Sequence, residues 1–170
     1  MTTTSTTPVL SQTGTDIGLL ILRLGIGITM AMHGAQKLFG WFDGSGLEGV
    51  KGMLTGQGYP SPGFFAIVLG VTETFGGLAL ALGVLTPLAG AAIMGTMINA
   101  IAINWDKGYI GGVEYETVLA LGGVALAFTG AGRISVDGAI PALRYPRLAT
   151  SLGCVVLGLV LAGVTLLLRN

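Results

Sequence analysis

Long apolar runs, separated by short polar stretches, divide the chain into five segments that are each suited to crossing a lipid bilayer. A transmembrane helix needs about 20 apolar residues, because the hydrocarbon core is about 30 Å thick and a helix rises about 1.5 Å per residue. The pattern therefore predicts an all-α, polytopic membrane protein with five transmembrane helices. The apolar runs lie at about residues 17–39, 64–85, 88–104, 113–129 and 148–168.

The boundary between the second and third runs is marked by glycine and proline. No charged residue occurs between Thr74 and Trp105, a stretch too long for one crossing. Within the segment GVLTPLAG, Gly83 favours a helix end and Pro87 favours a helix start. We therefore expect a tight turn there.

The first two runs are joined by a glycine-rich stretch, residues 40–63, that is too polar to span a membrane. Apolar residues recur within it at helical spacing, at Leu47, Val50, Met53 and Leu54. This pattern predicts a short amphipathic helix that lies at the membrane interface.

The N-terminal segment, residues 1–16, is polar and rich in threonine, and it lacks the basic start of a signal peptide. We expect a disordered tail that is retained. Five crossings place the two termini on opposite sides of the membrane. The densest basic loop holds Arg133, Arg144 and Arg147, and the positive-inside rule then favours a cytoplasmic N-terminus.

Composition agrees with a membrane protein and excludes several other classes. Of the 170 residues, 52% are hydrophobic and 9% are charged, whereas soluble domains carry roughly 25% charged residues. The formal net charge is zero and no basic stripe is present, so no nucleic-acid partner is expected. One histidine and one cysteine cannot supply the roughly four ligands of a zinc site, and we expect no resident metal.

Polar side chains within the apolar runs converge on one side of the predicted bundle. With five crossings, the end of the first helix, the end of the third and the start of the fourth lie at the same membrane face. That face therefore gathers a histidine, a lysine, asparagines and glutamates. The residues concerned are His33, Gln36, Lys37, Asn99, Asn104, Glu114, Tyr115 and Glu116, with Trp41 at the same level.

Two charged residues are expected deeper in the membrane. Counted from that face, Glu73 lies at about 16 Å and Arg23 at about 24 Å. An ion pair between Arg23 and Glu73 would relieve two unpaired intramembrane charges, and we predict that pair. Other interpretations remain open: Arg23 and Lys37 as side chains that reach for the interface, and His33 as a packing residue.

Three segments, in this order, resemble the DoxX family of integral membrane proteins. They are RLGIGITMAMHGAQKLFGWFDGSGLEG at 23–49, ETFGGLALALGVLTPLAG at 73–90 and GGVEYETVLALGGVALAFTGAGRISVD at 111–137. The family core has four membrane spans. The resemblance therefore implies a DoxX-like four-helix transmembrane bundle at 17–138, followed by residues 139–170 as a linker and a fifth, C-terminal transmembrane helix.

The resemblance also implies a role in a membrane redox system. The family is named after a membrane subunit of an archaeal thiosulfate:quinone oxidoreductase, and other members are linked to quinone or catechol stress. We therefore expect a multi-pass protein of the cytoplasmic (inner) membrane that interacts with a quinone, with no covalently held cofactor. The sequence shows no flavin or iron–sulfur motif, so electrons would come from a substrate such as thiosulfate or from a redox partner protein.

This hypothesis assigns roles to the polar cluster. His33, Glu73 and Glu114 are the candidates for proton transfer. The candidates for contact with the quinone are Gln36, Lys37, Trp41, Asn99 and Tyr115.

Two other classes of function stay open. The chain fits a non-enzymatic membrane anchor or scaffold for a soluble redox partner. It also fits a small proton-linked carrier that uses Arg23 and Glu73, although no second half repeats the Arg/His pattern as an inverted repeat would.

Overall fold

A computed structural model describes residues 12–169. That part of the chain is helical and contains no strand. Five of its helices, two of them counted with their adjoining turns, are long and apolar enough to cross a membrane, which confirms the predicted all-α polytopic architecture. The α-helices are α1 Gln12–Phe39, α2 Gly46–Gly56, α3 Pro62–Leu82, α4 Thr86–Asn104, α5 Glu114–Thr129, α6 Val136–Ala139 and α7 Leu148–Leu167.

The first helix starts earlier than the apolar pattern indicates. Residues 12–16, expected in the disordered tail, form the first turns of α1, and residues 1–11 lie outside the described residues. The Asp16 carboxylate accepts hydrogen bonds from the Arg133 backbone N–H at 2.9 Å and from Arg133 Nε at 2.5 Å. This ion pair fixes the start of α1 against the loop after α5, which explains why a polar segment is helical.

The predicted turn and the predicted amphipathic helix are both present. Gly83 ends α3 with a φ of +70°, in the left-handed region that glycine adopts readily, and Pro87 lies in the first turn of α4. Helix α2 is the amphipathic helix, and it buries Val50 and Leu54 against Ala66 of α3.

Glycines set the close packing of α1 against α3. A Cβ atom added at Gly77 would lie 2.5 Å from the backbone nitrogen of Ala31, and one added at Gly34 would clash with the backbone of Thr74. Small residues of this kind allow transmembrane helices to approach closely. The contacts also fix the antiparallel register, because residues 27, 31, 34 and 38 of α1 lie level with residues 81, 77, 74 and 70 of α3.

Helix α4 occupies the middle of the bundle. Gly90 of α4 meets Gly123 of α5, and Gly95 of α4 meets Gly158 of α7, in both cases at backbone contact distance. The fifth transmembrane helix, α7, packs mainly on α4 and α5. Among the described residues, α3 and α7 both pack on α4 but have no extensive interface with each other.

The loop that follows α5 caps the start of α4. The Asp137 carboxylate accepts hydrogen bonds from the backbone N–H groups of Leu85 and Thr86, both at 2.8 Å, and from Thr86 Oγ1 at 2.7 Å. The first N–H groups of a helix have no partner within it, so this buried carboxylate stabilises the α4 N-terminus. The aspartate of the segment GRISVD therefore has a structural task, at the membrane face opposite the polar cluster.

Candidate functional site

A cavity of about 420 Å³ lies in the half of the bundle that contains the C-terminal end of α1. Its size falls within the range of roughly 300–1,000 Å³ that is typical of small-molecule sites. All five transmembrane helices line it, together with α2 and the residue Tyr59. The walls are mainly apolar, and the polar side chains among them are His33, Lys37, Tyr59, Thr72, Glu73, Thr96, Asn99, Asn104, Tyr115, Glu116 and Thr165.

Lys37 and Glu73 form an ion pair within the cavity wall. Lys37 Nζ lies 2.5 Å from Glu73 Oε2, and the two side chains are 24% and 4% exposed, respectively. The buried carboxylate on α3 therefore pairs with a positive charge on α1. The two helices pack against each other through glycines. Both residues were singled out from the sequence, but not as partners of each other.

The predicted ion pair between Arg23 and Glu73 is wrong. The Arg23 guanidinium donates instead to the carbonyl oxygen of Ala81 at 2.9 Å and to the carbonyl oxygen of Ile134. The α1–α3 register explains the difference: Arg23 lies level with the turn after α3, about twelve residues, or roughly 18 Å, from the level of Glu73.

The Arg23 guanidinium satisfies backbone groups that the helix end leaves free. The turn at Gly83 uses the carbonyls of Ala79 and Leu80, so the carbonyl of Ala81 is available to Arg23. A cation is also favourable at a helix C-terminus. Arg23 is thus a structural residue of the opposite face, buried at 2% exposure.

His33 and Tyr115 lie side by side in the cavity wall. His33 Nε2 and the Tyr115 hydroxyl are 3.1 Å apart, and the two rings pack edge to face with centroids 5.9 Å apart. The direction of the hydrogen bond depends on the histidine tautomer. The pair joins α1 to α5 and places two groups that can exchange a proton in the same wall.

Asn99 links the third transmembrane helix to the fifth. Its Oδ1 accepts from the Tyr59 hydroxyl at 3.1 Å and from Thr165 Oγ1 at 2.9 Å, and its Nδ2 donates to the Gly95 carbonyl at 3.1 Å. Burial raises the pKa of Tyr59, against the opposing effect of the nearby Arg169 charge. The Tyr59 hydroxyl donates to Asn99 and so connects the segment before α3 to α4.

Helix α7 contributes more to this site than its apolar sequence indicates. Arg169, just after α7, donates to the Gln57 carbonyl at 3.2 Å and to Gln57 Oε1 at 3.1 Å. Its guanidinium lies 5.5 Å from the centroid of the Tyr59 ring. Helix α7 thus lines the cavity through Thr165, and Arg169 contacts Tyr59, which lines the same cavity.

The two carboxylates at the start of α5, Glu114 and Glu116, lie in different environments. Glu114 is exposed and does not line the cavity, whereas Glu116 does. Glu116 Oε2 is buried and has no hydrogen-bond partner among the described residues. The placement of Glu114 in the polar cluster is therefore wrong, and Glu116 is the carboxylate of α5 that lies in the cavity wall.

The sequence held a signal for this difference. The residues four and seven positions after Glu116 are the small residues Ala120 and Gly123, which favour close helix packing in membranes, and both are buried. Since such positions share a helix face, Glu116 belongs to the inward face of α5. The equivalent neighbours of Glu114 include Val118 and Leu121, which are more than half exposed.

Gln36 and Trp41 do not line the cavity. Gln36 Nε2 donates to the Phe42 carbonyl at 3.1 Å and so holds the turn after α1. Trp41 is 59% exposed and packs against Phe39, with ring centroids 5.1 Å apart. Both were predicted to contact a quinone, but α1 ends at Phe39, and the chain then turns away from the cavity.

No group of three or more metal-ligating side chains converges anywhere in residues 12–169. Cys154, on α7, is a free and half-buried thiol. The cavity wall itself presents hydrogen-bonding and ionisable side chains.

Comparisons with known proteins identify the family of the chain. A family model described as DoxX matches residues 18–105, which extend from α1 to the end of α4. Among curated proteins, the chain is similar to "Putative oxidoreductase CatD" of Bacillus subtilis (strain 168), with 31% identity over 123 residues, or 72% of this chain and 86% of that protein. No solved structure shows a significant match to the chain.

Proposed function

Because this chain belongs to the DoxX family, we propose that its cavity binds the ring of a quinone or quinol in a redox system of the cytoplasmic membrane. One observation carries the proposal: a single cavity combines mainly apolar walls with His33, Lys37, Glu73, Tyr115 and Glu116. A few polar groups placed in an apolar pocket are the usual means of orienting a small molecule. The name of the CatD protein agrees with a redox role.

The cavity offers donors for the carbonyl oxygens of a quinone. The Lys37 ammonium has three N–H donors, of which Glu73 takes one. The His33–Tyr115 pair can present either an imidazole N–H or a phenol O–H, according to the tautomer. These groups are the donors that we assign to the two carbonyl oxygens of a quinone ring.

Glu116 suits the reduced form of the same ligand. An ionised carboxylate can only accept hydrogen bonds, and a buried acceptor without a partner is costly. The hydroxyl group of a quinol supplies the missing donor to Glu116 Oε2. We therefore assign Glu116, in place of Glu114, as the carboxyl group that delivers a proton to the quinone on reduction and then accepts a hydrogen bond from the quinol.

The electrons come from outside the chain in this proposal. Reduction of a quinone to a quinol consumes two electrons and two protons, and the side chains of the cavity supply only the route for protons. A reduced substrate or a redox partner protein supplies the electrons. The chain then acts as the quinone-binding membrane subunit of an oxidoreductase.

The proposal is tested by the lipids that the purified protein retains. We expect about one quinone per chain in extracts of the wild-type protein, a large loss in His33→Ala, and no loss in Trp41→Ala, whose side chain lies outside the cavity. A chain that retains no quinone, but purifies in a stoichiometric complex with a soluble oxidoreductase, would instead be a membrane anchor for that enzyme.

A further inference from the structure

The cavity extends from the polar cluster to the lipid-facing perimeter of the bundle. Val68 of α3 and Leu161 of α7 both line it, although they are 41% and 56% exposed. The cavity is open rather than enclosed, and these two exposed side chains place part of its rim at the perimeter of the bundle. The surface around these two residues belongs to the hydrocarbon region, because they lie on transmembrane helices.

The packing of the helices explains this opening. Helices α3 and α7 flank α4 without an extensive mutual interface among the described residues. The floor between them is formed by Ala91, Ala92 and Gly95 of α4, which all line the cavity. These small side chains leave room for a narrow apolar groove, which we define as the α3–α7 groove, from Val68 and Leu161 inward to Gly95.

The groove opens below the membrane surface. Val68 is six residues from the start of α3, and Leu161 is six residues from the end of α7. At about 1.5 Å per residue, both lie roughly 9 Å inside the helix ends that face the surface. The surface end of the groove is crossed by the hydrogen-bonded chain from Tyr59 through Asn99 to Thr165.

We propose that the α3–α7 groove holds the hydrocarbon tail of the ligand whose ring occupies the polar end of the cavity, and that the ligand enters from the bilayer. This inference rests on the proposed function and specifies its substrate class. The ligand is a membrane-resident quinone with a long apolar tail rather than a small soluble quinone. Continuity between polar cluster and groove supports this assignment, because one cavity contains the polar groups and the apolar exit.

The test compares two ligands that share a ring. A tail-less methoxy-methyl benzoquinone and its decyl-tailed derivative are titrated into the purified protein in nanodiscs. Ala92→Leu fills the groove, and Ala102→Leu is its matched control, because Ala102 lies on the same helix, is exposed and does not line the cavity. We expect Ala92→Leu to weaken binding of the decyl-tailed ligand about tenfold, as expected for the loss of roughly two buried methylene groups. Binding of the tail-less ring should be unchanged.

A second matched pair probes the other wall of the groove. Val68→Phe narrows the opening, and Val71→Phe makes the same change at a residue of similar exposure, 40%, that does not line the cavity. This pair replaces the first if Ala92→Leu does not fold. We expect Val68→Phe to weaken binding of the decyl-tailed ligand but not of the tail-less ring, and Val71→Phe to change neither.

Three outcomes would overturn the assignment, and they are distinguishable. If a groove variant and its control change binding of the decyl-tailed ligand equally, the tail lies in the surrounding lipid and not in the groove. Equal losses for both ligands in a groove variant mean that the groove is part of the ring site. Failure of the wild-type protein to bind either ligand removes the proposed function itself.

Discussion

Lys37 Nζ contacts Glu73 Oε2 at 2.5 Å across the interface between α1 and α3, and the two partners are unequally buried. The Glu73 side chain is 4% exposed and that of Lys37 is 24% exposed. The two partners therefore respond differently to the loss of the other. A long lysine side chain can turn toward the surface, whereas the glutamate has no such route.

We predict that Lys37→Met destabilises the protein more than Glu73→Gln does. Removing one partner of a buried ion pair costs about 3–5 kcal/mol when the remaining charge stays buried, as it does for Glu73. Unfolding in detergent by SDS titration measures the free energies of both variants. The double variant should be more stable than Lys37→Met alone, and a double variant that is less stable would contradict a buried, uncompensated Glu73.

Arg23 and Glu73 should behave independently. Arg23→Gln loses charge-assisted hydrogen bonds to two backbone carbonyls, each worth about 1.5–3 kcal/mol, so a clear loss of stability is expected. Its effect should be the same in the wild-type and Glu73→Gln backgrounds, within about 0.5 kcal/mol, because the two residues share no partner. If Arg23 and Glu73 were instead coupled as strongly as Lys37 and Glu73, the ion pair between Arg23 and Glu73 would be supported.

Asp137 should be a strong determinant of stability although it lies far from the cavity. Asp137→Ala leaves two backbone N–H groups and the Thr86 hydroxyl without their acceptor, and the loss of a helix cap costs about 0.5–2 kcal/mol. We expect a lower melting temperature with quinone binding retained. Asp106→Ala, at an exposed position, is the control and should melt as the wild type does.

The glycine contact between α1 and α3 gives a matched pair on one helix. A Cβ atom at Gly34 would clash with the Thr74 backbone, whereas one at Gly25 meets nothing within 4 Å. Gly34→Ala should therefore destabilise the protein by about 1–3 kcal/mol through overpacking, and Gly25→Ala should be neutral or slightly stabilising. Equal melting temperatures for the two variants would mean that α1 and α3 are not packed through this stripe.

Much of the fold follows from hydrophobic pattern, glycine and proline. The five membrane crossings, the turn at Gly83 and the amphipathic helix α2 were all predicted correctly, because each depends on local sequence. The start of α1 was predicted five residues late. The first turns of α1 are stabilised by the ion pair between Asp16 and Arg133, which lies 117 residues away in the sequence.

The site was harder to predict because it depends on register. The sequence identified His33, Lys37, Glu73, Asn99 and Tyr115, and all five line the cavity. Counting from the ends of apolar runs misplaced Arg23, because the register between α1 and α3 is set by glycine contacts rather than by run length.

The site residues of α5 and α7 show the same limit. The sequence distinguishes Glu116 from Glu114 through the small residues Ala120 and Gly123, which follow Glu116 by four and seven positions. Thr165 and Arg169 were not identifiable, because their roles arise only where α7 meets α4 and the loop before α3.

Glu116 provides the most direct measurement of the central claim, that the cavity is a quinone site. A decyl-tailed quinol and the matching quinone are titrated, without oxygen, into wild type, Glu116→Gln and Glu114→Gln. Loss of a charged acceptor should weaken quinol binding by about tenfold or more in Glu116→Gln, corresponding to roughly 1.5–3 kcal/mol for a hydrogen bond to a charged group. Quinone binding should change less, and Glu114→Gln should bind both as the wild type does. Wild-type protein that binds neither form, or equal behaviour of the two glutamine variants, would contradict the account.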